Sequence, residues 1–145
     1  MAQLNPYISF KANCEEAFNF YKKVFNKEFT FIGRFKDMPA MPGHEPIPEE
    51  EGNLVMHVSL PISKETNLFG SDTPKDYRDR TVVGNNISIS VNAESKEEAD
   101  KLFNGLSEGG TIMMPLNDTF WGAYFGMFTD KFGINWMINY DKPAA

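Results

Sequence analysis

The stretch "NPYISF" at residues 5–10 returns as "NISISV" at residues 86–91, and this recurrence decides the fold. Each copy starts at an asparagine, Asn5 or Asn86, and alternates its side chains with the period of a short strand. Downstream, "EEAFNFY" from Glu15 is answered by "EEADKLF" from Glu97, with one more residue between strand and helix in the second copy. A strand and a helix that recur in the same order divide the chain into two halves of one plan.

Both second elements carry helix signals. Asn13 with Glu16, and Ser95 with Glu98, have the spacing of a capping box, in which the cap side chain accepts a backbone N–H and the carboxylate reaches back. Ala17, Phe20, Tyr21 and Val24 form one apolar stripe, and Ala99, Leu102, Phe103 and Leu106 form another, each suited to lie on a sheet. Gly109-Gly110 ends the second helix, and Asn26 can take a left-handed cap at the end of the first. Strand-like segments follow at 27–35, 54–60 and 67–72, then at 111–114, 121–129 and 134–140. The order is strand, helix, three strands, twice. Four prolines and an acidic run in "KDMPAMPGHEPIPEEEG", residues 36–52, predict a long irregular flap. The expected layout is one domain, 1–145, with module one at 1–76, a linker at 77–84 and module two at 85–141.

Composition narrows the function. A chain of 145 residues can bury about two thirds of its unfolded surface. A formal net charge of -6, with arginine only at positions 34, 78 and 80, argues against nucleic acid and anionic membrane as partners. The apolar runs are too short to span a bilayer, and "MAQLNPYISF" lacks the features of a signal peptide, so a cytoplasmic protein is expected. The single cysteine, Cys14, rules out an internal disulfide. It lies near a helix start without an identifiable histidine partner, and reads as buried and inert. Neither a phosphate-binding loop nor a nucleophile elbow is present.

Taken in order, "NPYISF", "EEAFNFYKKVF", "MHVSL", "LFGSD" and "GGTIMMPLNDTFWGAYFGMFTDKFGINWMIN" make the chain resemble the vicinal oxygen chelate superfamily of glyoxalases, bleomycin-resistance proteins and extradiol dioxygenases. It is most similar to the PhnB-like branch. The resemblance implies an α+β fold of two tandem βαβββ modules, a curved mixed sheet around a cavity with the helices outside. It further implies a divalent ion held by His, Glu or Gln from the first and last strands of each module. The matching positions here are Asn5, the stretch from Gly70 to Asp72, Asn86 and Met137. An asparagine carbonyl is a poor divalent ligand and a thioether prefers soft metals, so only Asp72 offers a charge. No metal and no other cofactor is therefore expected. Relatives of this branch often carry a demethylubiquinone methyltransferase label, yet no glycine-rich nucleotide-binding turn follows a strand here.

Along "WGAYFGMFT", Gly122, Tyr124, Gly126 and Phe128 share one strand face, and Trp121, Ala123, Phe125 and Met127 the other. "DKFG" suits a type I turn with Asp130 first and Gly133 fourth, which makes Asp130 structural. On the last strand, Asn135, Met137 and Asn139 oppose Ile134, Trp136, Ile138 and Tyr140, and the aromatic-aliphatic side is expected to meet a helix. Of the two histidines, His44 lies in the flap. His57 shares a strand face with Val55 and Ser59 and is the best general-base candidate.

Three functions stay open. The first is a metal-independent protein that binds a small molecule among His57, Asp72, Asn86, Trp121, Tyr124, Phe125 and Met137. The second is a metal-assisted lyase, isomerase or dioxygenase in which His57 acts with Asp72 or with an outside ligand. The third is a non-catalytic interaction module. A homodimer is expected, because the strand edges and the aromatic excess of the second half call for cover.

Overall fold

The computed structural model describes residues 1–39, 43 and 47–143. The chain divides into two compact units, Met1–Val82 and Val83–Ala145. In the first, β1 (Tyr7–Phe10) leads into α1 (Cys14–Phe25), followed by β2 (Phe31–Arg34), β3 (Val55–Pro61) and β4 (Asn67–Asp72). The second runs β5 (Ile89–Asn92), α2 (Lys96–Ser107), β6 (Thr111–Asp118), β7 (Ala123–Thr129) and β8 (Asn135–Asp141). Each unit builds a four-stranded mixed sheet, in the orders β1-β4-β3-β2 and β5-β8-β7-β6. The helix carries the chain across its sheet to the far edge. Two antiparallel steps then bring it back, so the last strand lies parallel to the first.

Each core lies between one sheet face and its helix. Cys14, Ala17, Phe18 and Tyr21 are the buried residues of α1, so its stripe lies one position from the Phe20 and Val24 read in the sequence, both of which are half-buried. On α2 the buried set is Ala99, Leu102, Phe103 and Leu106, as read. One packing device recurs: Gly70 faces the Phe18 ring and Gly126 the Phe103 ring, so closely that a Cβ at either position would overlap the aromatic carbons. Glycine there lets the helix aromatic reach the sheet backbone.

The helix starts differ. Ser95 Oγ accepts the Glu98 N–H at 3.0 Å, and Glu98 Oε1 reaches the Glu94 N–H at 3.0 Å, which caps α2. The Asn13 side chain makes no cap bond. Cys14 N–H donates instead to Asp72 Oδ1 at 2.9 Å, because the end of β4 brings an anionic acceptor to the helix start, and a charged acceptor outcompetes an amide. Asn26 closes α1 in the left-handed conformation, φ 55° and ψ 50°.

Strand limits shift where local chemistry requires. β2 is shorter than expected. β6 runs on through Pro115 with register breaks on either side of Met114, which an edge strand tolerates because a missing N–H faces outward there. Asn86 precedes β5 and lies in an exposed loop rather than on a strand. In the flap, residues 35–37 and 49–51 form 3-10 turns; residues 40–42 and 44–46, His44 among them, lie outside the described residues. The joining segment opens as a 3-10 helix, Lys75–Arg80. From it Arg78 donates to both carboxylate oxygens of Glu51, at 3.0 and 2.9 Å, and ties this segment to the first unit.

Candidate functional site

Alternation along the strands of the first sheet sends Ile8, Phe10, Val58, Leu60 and Leu68 under α1 and leaves Tyr7, Ser9, His57, Ser59, Phe69 and Ser71 on the other face. Register lines these up across the strands: Tyr7 pairs with Phe69, Phe69 with Ser59, and Ser59 with Phe31. His57, opposite Gly33, stands within the group. Its ring centroid lies 5.6 Å from Tyr7, 5.9 Å from Phe31 and 5.4 Å from Phe69. Its Nε2 is 3.1 Å from Ser59 Oγ, and its Nδ1 is 3.4 Å from Tyr7 Oη. Tyr7 and Phe31 remain about half exposed, at 51% and 49%. A hollow of about 580 Å³ borders this cluster through Phe31 and Gly33, and its lining also includes Met56, Met38 and the acidic residue Asp37.

The sequence pairs His57 with Ser59 on one face, as found, but also with Val55. A bulge between Gly33 and Arg34 pairs Arg34 with Val55, leaves Met56 without a register partner, and turns Val55 into the core. Tyr7, Phe31 and Phe69 were not singled out in the sequence. Their signal lay in the alternation of "YISF" and "NLFGSD", where an aromatic falls on the face opposite the aliphatic residues.

Asp72 belongs to the other side of the same sheet. It is 3% exposed, and its carboxylate accepts from Cys14 N–H and, at 2.8 Å, from Val55 N–H. The expected partnership of His57 with Asp72 is therefore corrected: they lie on opposite faces, and Asp72 is committed to backbone donors. Burial, more than any other influence, lifts its carboxyl above the usual aspartate range, while the two N–H bonds pull it back. Since the folded chain then binds this proton more tightly than the unfolded chain, the associated stability is full below the ordinary aspartate value, about 3.9, and is lost as pH rises through the raised one. Asp72→Asn is expected to remove that decline. A variant whose urea midpoint falls with pH as steeply as the wild type would contradict the assignment. Cys14 beside it is buried, and its thiol is pushed far up by desolvation and then by Asp72, which leaves it inert.

In the second unit Trp121, Phe125 and Met137 lie on the side of the sheet away from α2. Trp121 is 58% exposed and its ring meets Phe125 at 6.1 Å, while Met137 pairs with Met127 and Ser90. Asn139 on this side donates to Asn92 Oδ1 at 3.2 Å. Tyr124 points the other way and donates to Asp100 of α2 at 2.5 Å, a bond that pushes its phenol up to about 12. It holds a helix rather than standing beside Trp121 and Phe125. Asn86, in its loop, joins none of these groups.

Residues 3–138 match the family model for the Glyoxalase/Bleomycin resistance protein/Dioxygenase superfamily. Protein YjdN of Escherichia coli (strain K12) is 30% identical over 147 residues, which cover 96% of this chain and 95% of that protein. Among solved structures, protein PA1353 from Pseudomonas aeruginosa is 36% identical with a TM-score of 0.81, over 99% of this chain and 100% of that one. A Bacillus cereus protein described as a putative 3-demethylubiquinone-9 3-methyltransferase, PhnB protein, is 24% identical with a TM-score of 0.74, over 96% and 99% of the two chains, a likeness of fold. The two mixed sheets and these matches define a glyoxalase-like α+β protein. The chain belongs to the glyoxalase/bleomycin resistance protein/dioxygenase superfamily.

The metal implied by that resemblance does not fit the residues present. Asn5 Oδ1 is engaged by Asn67 N–H at 2.8 Å, Asp72 is turned under α1, and Met137 offers only a thioether. Among the described residues no three His, Cys, Asp or Glu side chains are grouped to hold an ion. No helix among them is long and apolar enough to cross a membrane.

Proposed function

We propose that the protein is a PhnB-like member of its superfamily that acts in the cytoplasm by binding an aromatic small molecule, without a metal ion, on the face of its first sheet opposite α1. The supporting observation is the His57 cluster: three aromatic rings from three other strands surround one imidazole, whose two nitrogens meet hydroxyl groups. Apolar walls with few, fixed polar groups suit a planar ligand that also needs orienting. A thermal-shift screen of aromatic compounds on chelator-treated protein tests this. A ligand at about a hundredfold its Kd adds about 2.7 kcal/mol of stability. The shift is expected to disappear in Phe69→Ala and shrink in His57→Ala. Ligand shifts that persist in both variants, or that need an added divalent ion, would defeat the reading.

We also propose a homodimer. β6 is an edge strand, and it exposes Ile112, Met113 and Met114, with Phe120 and Trp121 at the hairpin beyond it. An apolar edge of this kind invites pairing with a second chain. Sedimentation at micromolar concentration is expected to give twice the chain mass; a single-chain mass throughout a dilution series rules the dimer out.

A further inference from the structure

Resting on that binding reading, we propose that Gly33 is a positioning residue for the ligand: it keeps open the space in which the Phe31 ring lies, and so gives the site a preference for a flat, fully aromatic ring over a puckered one. Gly33 stands on β2 opposite His57, on the same face of the sheet as Phe31 two residues before it. A Cβ at this position would lie 2.8 and 2.9 Å from Cζ and Cε1 of Phe31, and 3.4 Å from Cε of Met56. The Phe31 ring thus takes the volume that a side chain at 33 would fill, and Gly33 is buried although β2 is an edge strand.

Nothing in the backbone asks for glycine here. Gly33 does not have a left-handed φ, and the bulge that follows it needs glycine only when it takes that conformation. Within a strand glycine is otherwise at an entropic disadvantage to alanine. Gly70 and Gly126 admit a helix aromatic into the core, whereas Gly33 admits a ring that is 49% exposed and borders the hollow. The exposed part of Phe31, 5.9 Å from the His57 ring, shares that hollow with the thioethers of Met56 and Met38. A flat ring gains offset or edge contacts with Phe31 and with sulfur, which a puckered ring of the same carbon skeleton forgoes. A methyl at 33 pushes on the far end of Phe31, which can swing to another rotamer while the strand stays in place. The fold then survives and the aromatic platform does not.

Calorimetric titration of the full chain, treated with chelator, with 2-naphthylmethanol and its decahydro analogue tests this. The wild type is expected to bind the flat probe about fivefold or more tighter than the puckered one. Gly33→Ala and Phe31→Ala are each expected to lose that preference. The double variant is expected to bind no worse than Phe31→Ala alone, because without the ring the new methyl displaces nothing that the ligand uses. A Gly33→Ala protein that keeps the wild-type preference overturns the inference, and so do losses that add in the double variant. If Gly33→Ala fails to fold, the double variant decides: it folds if the Phe31 ring is the obstacle, and its failure to fold overturns the inference. Wild-type binding of both probes without preference removes the role of Gly33 alone, whereas binding of neither removes the binding reading with it.

Discussion

Asp72→Ala is expected to lower the stability of the protein at neutral pH by about 2–4 kcal/mol, because two buried backbone donors lose their acceptor together. Cys14 N–H and Val55 N–H both end on this carboxylate, at 2.9 and 2.8 Å, and the residue is 3% exposed, so water does not readily replace it. Two effects oppose. Burial disfavours the charge of Asp72, which offsets part of the gain from its bonds. The orphaned donors win, since each costs about 1–3 kcal/mol when left unpaired. For a unit of this size the loss corresponds to roughly 4–8 °C of Tm per kcal/mol. Urea denaturation decides between structure and ligand binding: a surface carboxylate kept for a ligand could be removed at a cost under about 0.5 kcal/mol.

Asp130→Ala is expected to cost about 3–5 kcal/mol, because three donors converge on one buried carboxylate. Asp130 Oδ1 accepts from Phe132 N–H at 2.8 Å and Ile134 N–H at 3.0 Å, and Oδ2 accepts from the indole N–H of Trp136 at 2.9 Å. The first two shape the turn between β7 and β8. The third fixes the largest fully buried side chain of the protein. The loss should therefore show both in the urea midpoint and in the near-ultraviolet signal of Trp136. Asp130→Asn keeps one acceptor oxygen and is expected to lose less. Equal stability of Asp130→Ala and wild type would mean that the turn is held by its backbone bonds, Gly133 N–H to Asp130 O and Asp130 N–H to Ile134 O, without the side chain.

The repeat made the two-module plan legible, since "NPYISF" and "NISISV" mark strands whose topological places are equivalent. Face assignment on the last strand was legible too, because Trp136 and Ile138 alternate cleanly with Met137 and Asn139. What alternation could not give was anything set by contacts distant in sequence. Asp72 read as a free charge near a cavity, but its partners Cys14 and Val55 lie 58 and 17 residues away. The same holds for the helix start that Asn13 was expected to cap. Tyr124 looked like a cavity wall until its phenol was seen on Asp100 of α2. His57 stood out as a lone strand histidine, yet the three rings that surround it come from three other strands. The bulge that turns Val55 inward has no signature in "VMHVSL".

The most direct measurement is amide-resolved NMR of the chelator-treated protein titrated with a planar aromatic probe, 2-naphthylmethanol. The account predicts saturable shifts centred on Tyr7, Phe31, His57, Ser59 and Phe69, unchanged when a divalent ion is added. Shifts centred on the hollow of about 460 Å³ at the start of α1, around Asn13, Glu16 and Asn53, or shifts seen only with a metal ion present, would contradict it.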